Sequence, residues 1–502
     1  MTEIPWSVQL GFPILATLQL LPVMAAMLVL SLNESRLTLV VGIALAAGEM
    51  LLAIYAYLHF DRYINGLQFA EWSDWTGPFG YHVAVDGLSL VFILLTALLC
   101  LMLVIYGPLI RELSESRALL ATIFATEATL MAMLATVNLL WFVLLSAIEL
   151  GLIGFLLWHW GTSSEKDLML RRFYQFMGVG ILLLLAGTLM LGWSYADSHG
   201  GRWSFDLFDL SASKLPAAMQ TLVFFLLFYG LGIRIPLFPL HGWLPLATEH
   251  GNIAVAPTLL LGVKVGIYGL LRYVLPLVPE AVWRWHRYVA AFATIGIFYA
   301  AILAMRQLNL RRLLAYAVLS HTSILVLGLF SLVSEAFQGS VMLSITFGLA
   351  LSTLASMTGL IFRRTHTTLL PKLGGLFDHI PLIGLTFLLA GLAIAGMPGT
   401  PGFDAAHLVL EGAIGRFGTL MTIAAGLGNG LAAGFLLWAF QRAFLTPTAA
   451  GGRLAVEPTN AAERLMAGLL VMVLLSAGFY SQPWLELIER PMSALSNLFQ
   501  QP

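Results

Sequence analysis

Six charged residues stand in sequence that is otherwise apolar. They are Glu49 in VGIALAAGEM, Glu127 in FATEATLM, Glu149 in LLSAIELGL, Arg234 in GLGIRIPLF, Lys264 in LGVKVGIYG and Glu411 in LVLEGAIG. His241, His321 and His407 add titratable groups. A charge at the centre of a bilayer costs several kcal/mol unless it is paired or hydrated. So many in one chain point to an interior polar row, and carboxylate, ammonium and imidazole are groups that pass protons. Glu149 lies near the middle of its apolar run, and Arg234, on an interrupted run, is its expected basic partner. A permanent pair that only holds two helices together would use the same two residues. Guanidinium stays charged in proteins, so Arg234 modulates or swings between partners and does not relay protons. Lys264, buried mid-span, can lose and regain its proton as a neighbouring charge moves. His321, in LSHTSI, reads as a second carrier or as a satisfied structural histidine. His241 follows a proline break and is expected at a cavity mouth. Glu411 and His407 share a face, four residues apart. They suit a proton exit group and its partner, or Glu411 forms an interfacial ion pair with Arg416. Glu127 and Glu49 would serve the row or a contact with a neighbouring subunit.

These residues need a membrane-spanning framework. Of 502 residues 59% are hydrophobic and 10% charged, where a soluble chain carries roughly 25% charged. Mean hydropathy is +0.89. Apolar runs long enough to cross about 30 Å of hydrocarbon recur along the chain. Fourteen spans are expected, at about 10–31, 37–58, 86–106, 118–135, 138–158, 174–194, 219–240, 254–275, 288–304, 312–332, 340–362, 384–414, 418–442 and 464–480. The alternating ten-residue segments of a β-barrel are absent. The fold class is therefore an all-α polytopic membrane protein of about 14 transmembrane helices. The odd-numbered connections carry fifteen Lys and Arg and the other side carries eight. The positive-inside rule puts the odd connections in the cytoplasm and both termini on the periplasmic or outer side of a cell inner membrane. The N-terminus, MTEIPWSVQL, lacks the basic start of a cleavable signal peptide.

Spans seven and twelve are interrupted, the first by Pro236 and Pro239 and the second by GMPGTPGF at 396–403. Proline removes a backbone N–H and clashes with the preceding turn, which a membrane helix tolerates only against protein or a hydrated cavity. Spans 4–8 and 9–13 each make a five-helix unit broken in its fourth helix, and an odd span count inverts the second unit. The expected division is 1–117 for helices 1–3, 118–275 for the first repeat, 288–442 for the second inverted repeat, and 443–502 for helix 14. No cofactor or metal site is expected, since CxxC, His/Cys clusters, GxGxxG and Walker A loops are missing and Cys100 is the one cysteine. A net charge of −1 argues against nucleic acid as a partner. The expected surroundings are lipid and other membrane subunits.

Several stretches together resemble the antiporter-like membrane subunits of respiratory complex I, above all the NADH-quinone oxidoreductase subunit M (chain 4) type. They are VDGLS at 85–89, Glu149 with WHWG after it, PLFPLHGWLP at 236–245, LLGVKVGIYGLLRY at 260–273, NLRRLLAYAVLSH at 309–321, MPGTPGF at 397–403 and LLWAFQRAF at 436–444. The resemblance covers nearly the whole chain and is strongest from about 80 to 445. It implies two inverted repeats, a place in a membrane arm, and proton translocation driven by quinone reduction elsewhere. It assigns Glu149 as the essential glutamate of the fifth helix, Lys264 as the central lysine of the eighth and His321 as the histidine of the tenth. Arg234 stands where the family usually has a lysine. Phe347 stands where many members have a histidine, and Ala406 where the exit glutamate is usual, with Asp404, His407 or Glu411 as substitutes. WLPLATEHGNIAVAPT also departs from the usual WLPDAHxEAPT pattern. No long amphipathic extension is expected after span fourteen, which favours the M-type position.

The expected function is proton translocation in a complex I-like NADH-quinone oxidoreductase, by charge switching of buried Glu, Lys and His, with no redox centre of its own. Two alternatives stay open. One is ion coupling in a related antiporter, membrane hydrogenase or inorganic-carbon uptake complex. The other is a non-pumping membrane scaffold.

Overall fold

The computed structural model describes residues 2–33, 35–73, 77–110, 116–161, 163–213, 215–251, 264–447 and 456–500. Among them twelve helices are long and apolar enough to cross a membrane. In chain order the helices are α1 (Ile14–Ser31), α2 (Ser35–His59), α3 (Gly87–Ile110), α4 (Ser116–Ala135), α5 (Leu139–His159) and α6 (Lys166–Ser198). Next come α7a (Ala217–Arg234) and the short α7b (Leu244–His250), then α8, described over 264–277. The chain continues with α9 (Pro279–Met305), α10 (Leu310–Leu329), α11 (Ser334–Thr365), α12a (Pro381–Ile394), α12b (Pro401–Phe417), α13 (Thr419–Phe440) and α14 (Ala461–Phe479). The two further spans expected from sequence are α8, whose first part lies outside the described residues, and α12, in pieces of 14 and 17 residues. Residues 252–263, Arg111, Lys214 and Arg453 also fall outside the described residues.

Both proline-bearing interruptions are real breaks. Helix α7a stops at Arg234, Pro236 and Pro239 occupy the turns that follow, and Pro245 opens α7b. Helix α12a stops at Ile394, Pro398 lies in the break, and Pro401 is the first residue of α12b. Proline suits that first helical position, where its missing N–H has no intrahelical partner to lose. Glycine at 396 and 399 takes positive φ inside the second break, a conformation that side chains disfavour.

Helices α3, α10 and α11 are almost wholly buried, whereas α2, α13 and α14 turn most of their surface outward. Helix α3 is also the most apolar of the twelve, whereas the equally buried α10 and α11 are among the less apolar. Helices α10 and α11 carry Ser320, Ser323, Thr346, Thr353, Ser356 and Thr358 inside the bundle. Small residues let helices approach closely. The hydroxyls of Ser323, Thr346, Thr353, Ser356 and Thr358 donate to carbonyls one turn back, so each is satisfied within its own helix.

Two elements were not expected from sequence. A three-stranded sheet orders β1 (Glu3–Pro5), β2 (Leu67–Trp72) and β3 (His82–Val85), gathering the N-terminus and the 59–85 connection. Glu71 of β2 then accepts from the amides of Leu15 and Ala16, capping α1 from a distant strand. The second is α15 (Gln482–Asn497), an amphipathic 16-residue helix that packs on α11 and α3. Its Pro491 and short length hid it in a search for long apolar runs. Arg62 reaches Glu486 of α15 at 3.1 Å, and His82 reaches Asp206 of the 6–7 connection at 2.6 Å. The N-terminal segment, two even-numbered connections and the C-terminal helix are thus tied together on one face.

Candidate functional site

The site is built around the break in α7. Asn138 caps α5 by accepting from the amides of Leu140 and Trp141, and this sets the register of the helix that bears Glu149. Arg234 is the last residue of α7a, where unpaired carbonyls carry the negative end of the helix dipole and favour a cation. Trp243, beyond the break, donates its indole N–H to the Ile233 carbonyl at 2.8 Å and so satisfies one of those carbonyls. Arg234 Nη2 donates to Glu149 Oε2 at 2.6 Å, with side-chain exposures of 3% and 0%. The two sit 85 positions apart in sequence and form one fully buried pair. Glu149 Oε1 and the hydroxyl of Ser146, a turn earlier on α5, meet no hydrogen-bond partner among the described residues. The pair therefore keeps open hydrogen-bonding positions on the carboxylate side.

Lys264 enters from α8. That helix presses on the α7 break so closely that a Cβ on Gly266 would lie 2.1 Å from Ile235 Cγ2. Only glycine permits this approach, and the lysine two residues earlier turns to the opposite side of α8, toward α11. Lys264 is buried, and its Nζ lies 5.8 Å from the centroid of the Phe347 ring on α11. His321 of α10 meets the same ring from elsewhere, edge to face, with centroids 4.5 Å apart. Imidazole Nδ1 is 2.8 Å from the Ala317 carbonyl one turn back, which makes it the protonated nitrogen of the neutral ring. Nε2 faces the Ile394 backbone, where α12a ends, and meets no other hydrogen-bond partner among the described residues. The break in α12 is thus adjacent to His321, as the break in α7 is adjacent to Glu149.

The remaining candidates are placed differently. His241 sits within the α7 break among Phe238, Tyr299 and Tyr316, with its ring centroid 5.2 Å from that of Tyr299. His407 and Glu411 lie on the outward face of α12b beside the exposed Phe403 and Ile414, apart from the buried groups. Arg416 donates to the Ser331 carbonyl and lies over the Trp283 ring, so its recorded contacts are not with Glu411. Asp404 accepts from Ser481 at 2.5 Å, which ties α12b to the start of α15. Glu127 is buried on α4 with Glu49, away from the α7 break.

One buried assembly escaped the sequence reading. Arg272 donates to both oxygens of Asp86, at 3.0 and 2.9 Å, to Ser89 Oγ at 2.8 Å, and through Nε to Tyr268 OH at 3.1 Å. Asp86 and Ser89 belong to the VDGLS stretch and Arg272 and Tyr268 to LLGVKVGIYGLLRY. Both motifs are visible in sequence, yet nothing there says that they touch across 186 positions.

Comparison with known proteins agrees with this arrangement. The transmembrane family described as NADH:quinone oxidoreductase/Mrp antiporter matches residues 136–431. NADH-ubiquinone oxidoreductase chain 4 of Marchantia polymorpha is 27% identical over 494 residues, covering 97% of each chain. Among solved structures, a chain of respiratory complex I from Thermus thermophilus with bound NADH superposes with a TM-score of 0.87. It is 26% identical, with 97% of this chain and 100% of that chain covered. A chain of the Mrp complex from Dietzia sp. DQ12-45-1b gives a TM-score of 0.85 over 97% of this chain and 98% of that one, at 18% identity, which is a likeness of fold alone. With the family match spanning the region that holds Glu149, Arg234, Lys264 and His321, the chain belongs to the NADH:quinone oxidoreductase/Mrp antiporter transmembrane family and is homologous to NADH-quinone oxidoreductase subunit M (chain 4).

Proposed function

We propose that this chain is a proton-translocating membrane-arm subunit of a complex I-like NADH-quinone oxidoreductase. The observation that carries the proposal is the buried Glu149–Arg234 pair at the α7 break, with Lys264 and His321 meeting on either part of the Phe347 ring. In this mechanism Arg234 holds Glu149 ionised while the pair is closed. When Arg234 withdraws, Glu149 loses its stabilising charge and takes up a proton, and the field at Lys264 changes. Lys264 then gives its proton toward His321, whose Nε2 is the open acceptor. Arginine performs the electrostatic step as well as lysine would, because that step needs a moving charge and no proton transfer from residue 234. His407 and Glu411 fit an exit at the outward face of α12b, against a neighbouring membrane subunit. A glutamate turned toward plain lipid would be costly there.

Two inverted repeats, 118–275 and 288–442, underlie this reading, and three correspondences favour them. Asparagine caps the second helix of each unit, Asn138 for α5 and Asn309 for α10. Each unit's fifth helix carries a five-residue π-helical turn, Leu270–Val274 within α8 and Gln441–Leu445 directly after α13. Each unit's fourth helix is broken. A complement of fourteen spans puts both termini on one side, which fits the tie between β1, the 59–85 connection and α15. The proposed setting is a cell inner membrane with that side outward.

The test is proton translocation by the purified native complex in proteoliposomes, comparing wild type with Lys264→Ala. Assembly is expected to survive, and pumping with its coupled activity to fall at least about tenfold, which is about 1.4 kcal/mol in a barrier. Unchanged pumping in an intact complex would refute the relay and favour a scaffold. A complex isolated with a large soluble zinc protein in place of quinone-reducing subunits would move the same relay to inorganic-carbon uptake.

A further inference from the structure

A second group of buried acids lies outside the relay. At one level of the bundle α2, α3 and α4 converge on Gly42, where a Cβ would lie 3.5 Å from Leu120, 3.6 Å from Val104 and 3.9 Å from Phe124. Glu49 is two turns beyond Gly42 on the same face of α2, and Glu127 is two turns beyond Leu120 on the same face of α4. Each crossing reverses direction, so α2 and α4 run parallel and both residues advance together by roughly 10 Å. Helix α3 runs the other way, and its Cys100, one turn before Val104, arrives at their level. The three side chains are at most 1% exposed. Cys100 lies beside Glu127, within electrostatic range of both carboxyls.

The four carboxyl oxygens of Glu49 and Glu127 are all buried, and apart from the weak Cys100 thiol beside Glu127 they meet no hydrogen-bonding partner among the described residues. This is unlike Glu149, whose charge faces Arg234. Two adjacent carboxylates without a cation in an apolar interior cannot both stay ionised. A single proton resolves the conflict. The protonated carboxyl donates to the other carboxylate in a charge-assisted O–H···O⁻ bond, which removes one charge and partners two of the four oxygens. The surroundings do not suit a metal cation, since a hard cation takes about six oxygen ligands and the adjacent backbone carbonyls are engaged in helices α2 and α4.

We infer that Glu49 and Glu127 form a proton-binding site of their own, a carboxyl pair that holds a proton between α2 and α4, separate from the Glu149–Lys264 relay. Its use as a proton store beside the relay rests on the proposed function, but the bound proton does not. Cys100 is the titratable side chain that α3 turns toward the pair, and it supplies at most a weak S–H donor.

The test is infrared spectroscopy of the purified native complex at neutral pH, in water and in heavy water. The difference between wild type and the double variant Glu49→Gln/Glu127→Gln is expected to contain a protonated-carboxyl carbonyl stretch that shifts in heavy water. An assembled double variant without such a difference would overturn the site. Disappearance of the wild-type band on adding sodium at constant pH would also overturn it, in favour of a cation site. If the double variant does not assemble, Glu49→Gln and Glu127→Gln are measured singly. Both are expected to change the band, and a single variant that leaves it unchanged shows that its residue does not share the proton. Pumping is not the readout, so a negative result for Lys264→Ala leaves this inference standing.

Discussion

Among the buried arginine–carboxylate pairs of the described residues, Arg272–Asp86 and Arg234–Glu149 are held in different ways. Arg272 engages Asp86 with two parallel hydrogen bonds and adds Ser89 and Tyr268. Tyr268 in turn donates to the Leu134 carbonyl, so the arginine, the hydroxyls and the backbone of α4 form one network. Arg234 reaches Glu149 through one bond, and the second oxygen of Glu149 is left open. The first pair is locked from several helices and lies in continuous structure. The second stands at a helix end, beside a break whose backbone can adjust. A fully satisfied buried network is rigid. The Arg234–Glu149 link is itself a single hydrogen bond at a helix end, the arrangement that the proposed charge switching uses.

The largest effect is expected at the locked pair. Arg272→Ala or Asp86→Ala strands a buried charge, at a cost of about 3–5 kcal/mol. Assembled complex recovered from membranes should drop steeply and its Tm should fall. Normal yield and Tm in either variant would mean that the network is not a structural lock. Glu149→Gln should sharpen the contrast from the other side. The amide keeps the shape and can still accept from Arg234, but it leaves that buried guanidinium without a counter-charge, so assembly should fall, though less than pumping. Pumping in proteoliposomes should fall about tenfold, or about 1.4 kcal/mol in a barrier. Equal losses of assembly and pumping would make the second pair structural like the first.

The smallest effect concerns a third pairing, at the protein–water boundary. His82 lies between Asp206 at 2.6 Å and Glu3 at 2.9 Å. Burial by itself would lower the histidine, but hydrogen bonds and charge from Asp206 and Glu3 outweigh it and raise it above its usual 6.5. A raised value in the folded state means that the clamp contributes fully below the unfolded value. The contribution is lost as pH rises through the folded value. Hydrogen exchange of the β1 and β3 amides should therefore quicken as pH rises through that range, beyond the intrinsic base-catalysed increase. His82→Gln should abolish the excess. A wild type with no excess would remove the clamp from the account.

Much of the site was readable because membranes penalise polar residues. Glu149, Arg234, Lys264 and His321 announced themselves by the apolar sequence around them, and prolines marked both breaks. The Arg272–Asp86 network was harder to see because each residue lies close to the end of its apolar run, where charges are common. The outward position of His407 and Glu411 was equally hidden, since a helical repeat shows that two residues share a face but not which way that face turns.

By itself the sequence determined the class of the fold, the long helices, the two interruptions and the chemistry available to the interior. Hydrocarbon thickness, backbone hydrogen bonding and the cost of buried charge are local constraints, and local sequence answers them. Only the tertiary structure decided the partners. It set Arg234 on Glu149, brought Lys264 and His321 to one phenylalanine ring, and left Glu49 and Glu127 together without a cation. It also folded the N-terminus and the 59–85 connection into a sheet. Those choices depend on how helices rotate and approach one another, through contacts such as Gly266 against Ile235, and a span pattern carries no information about rotation.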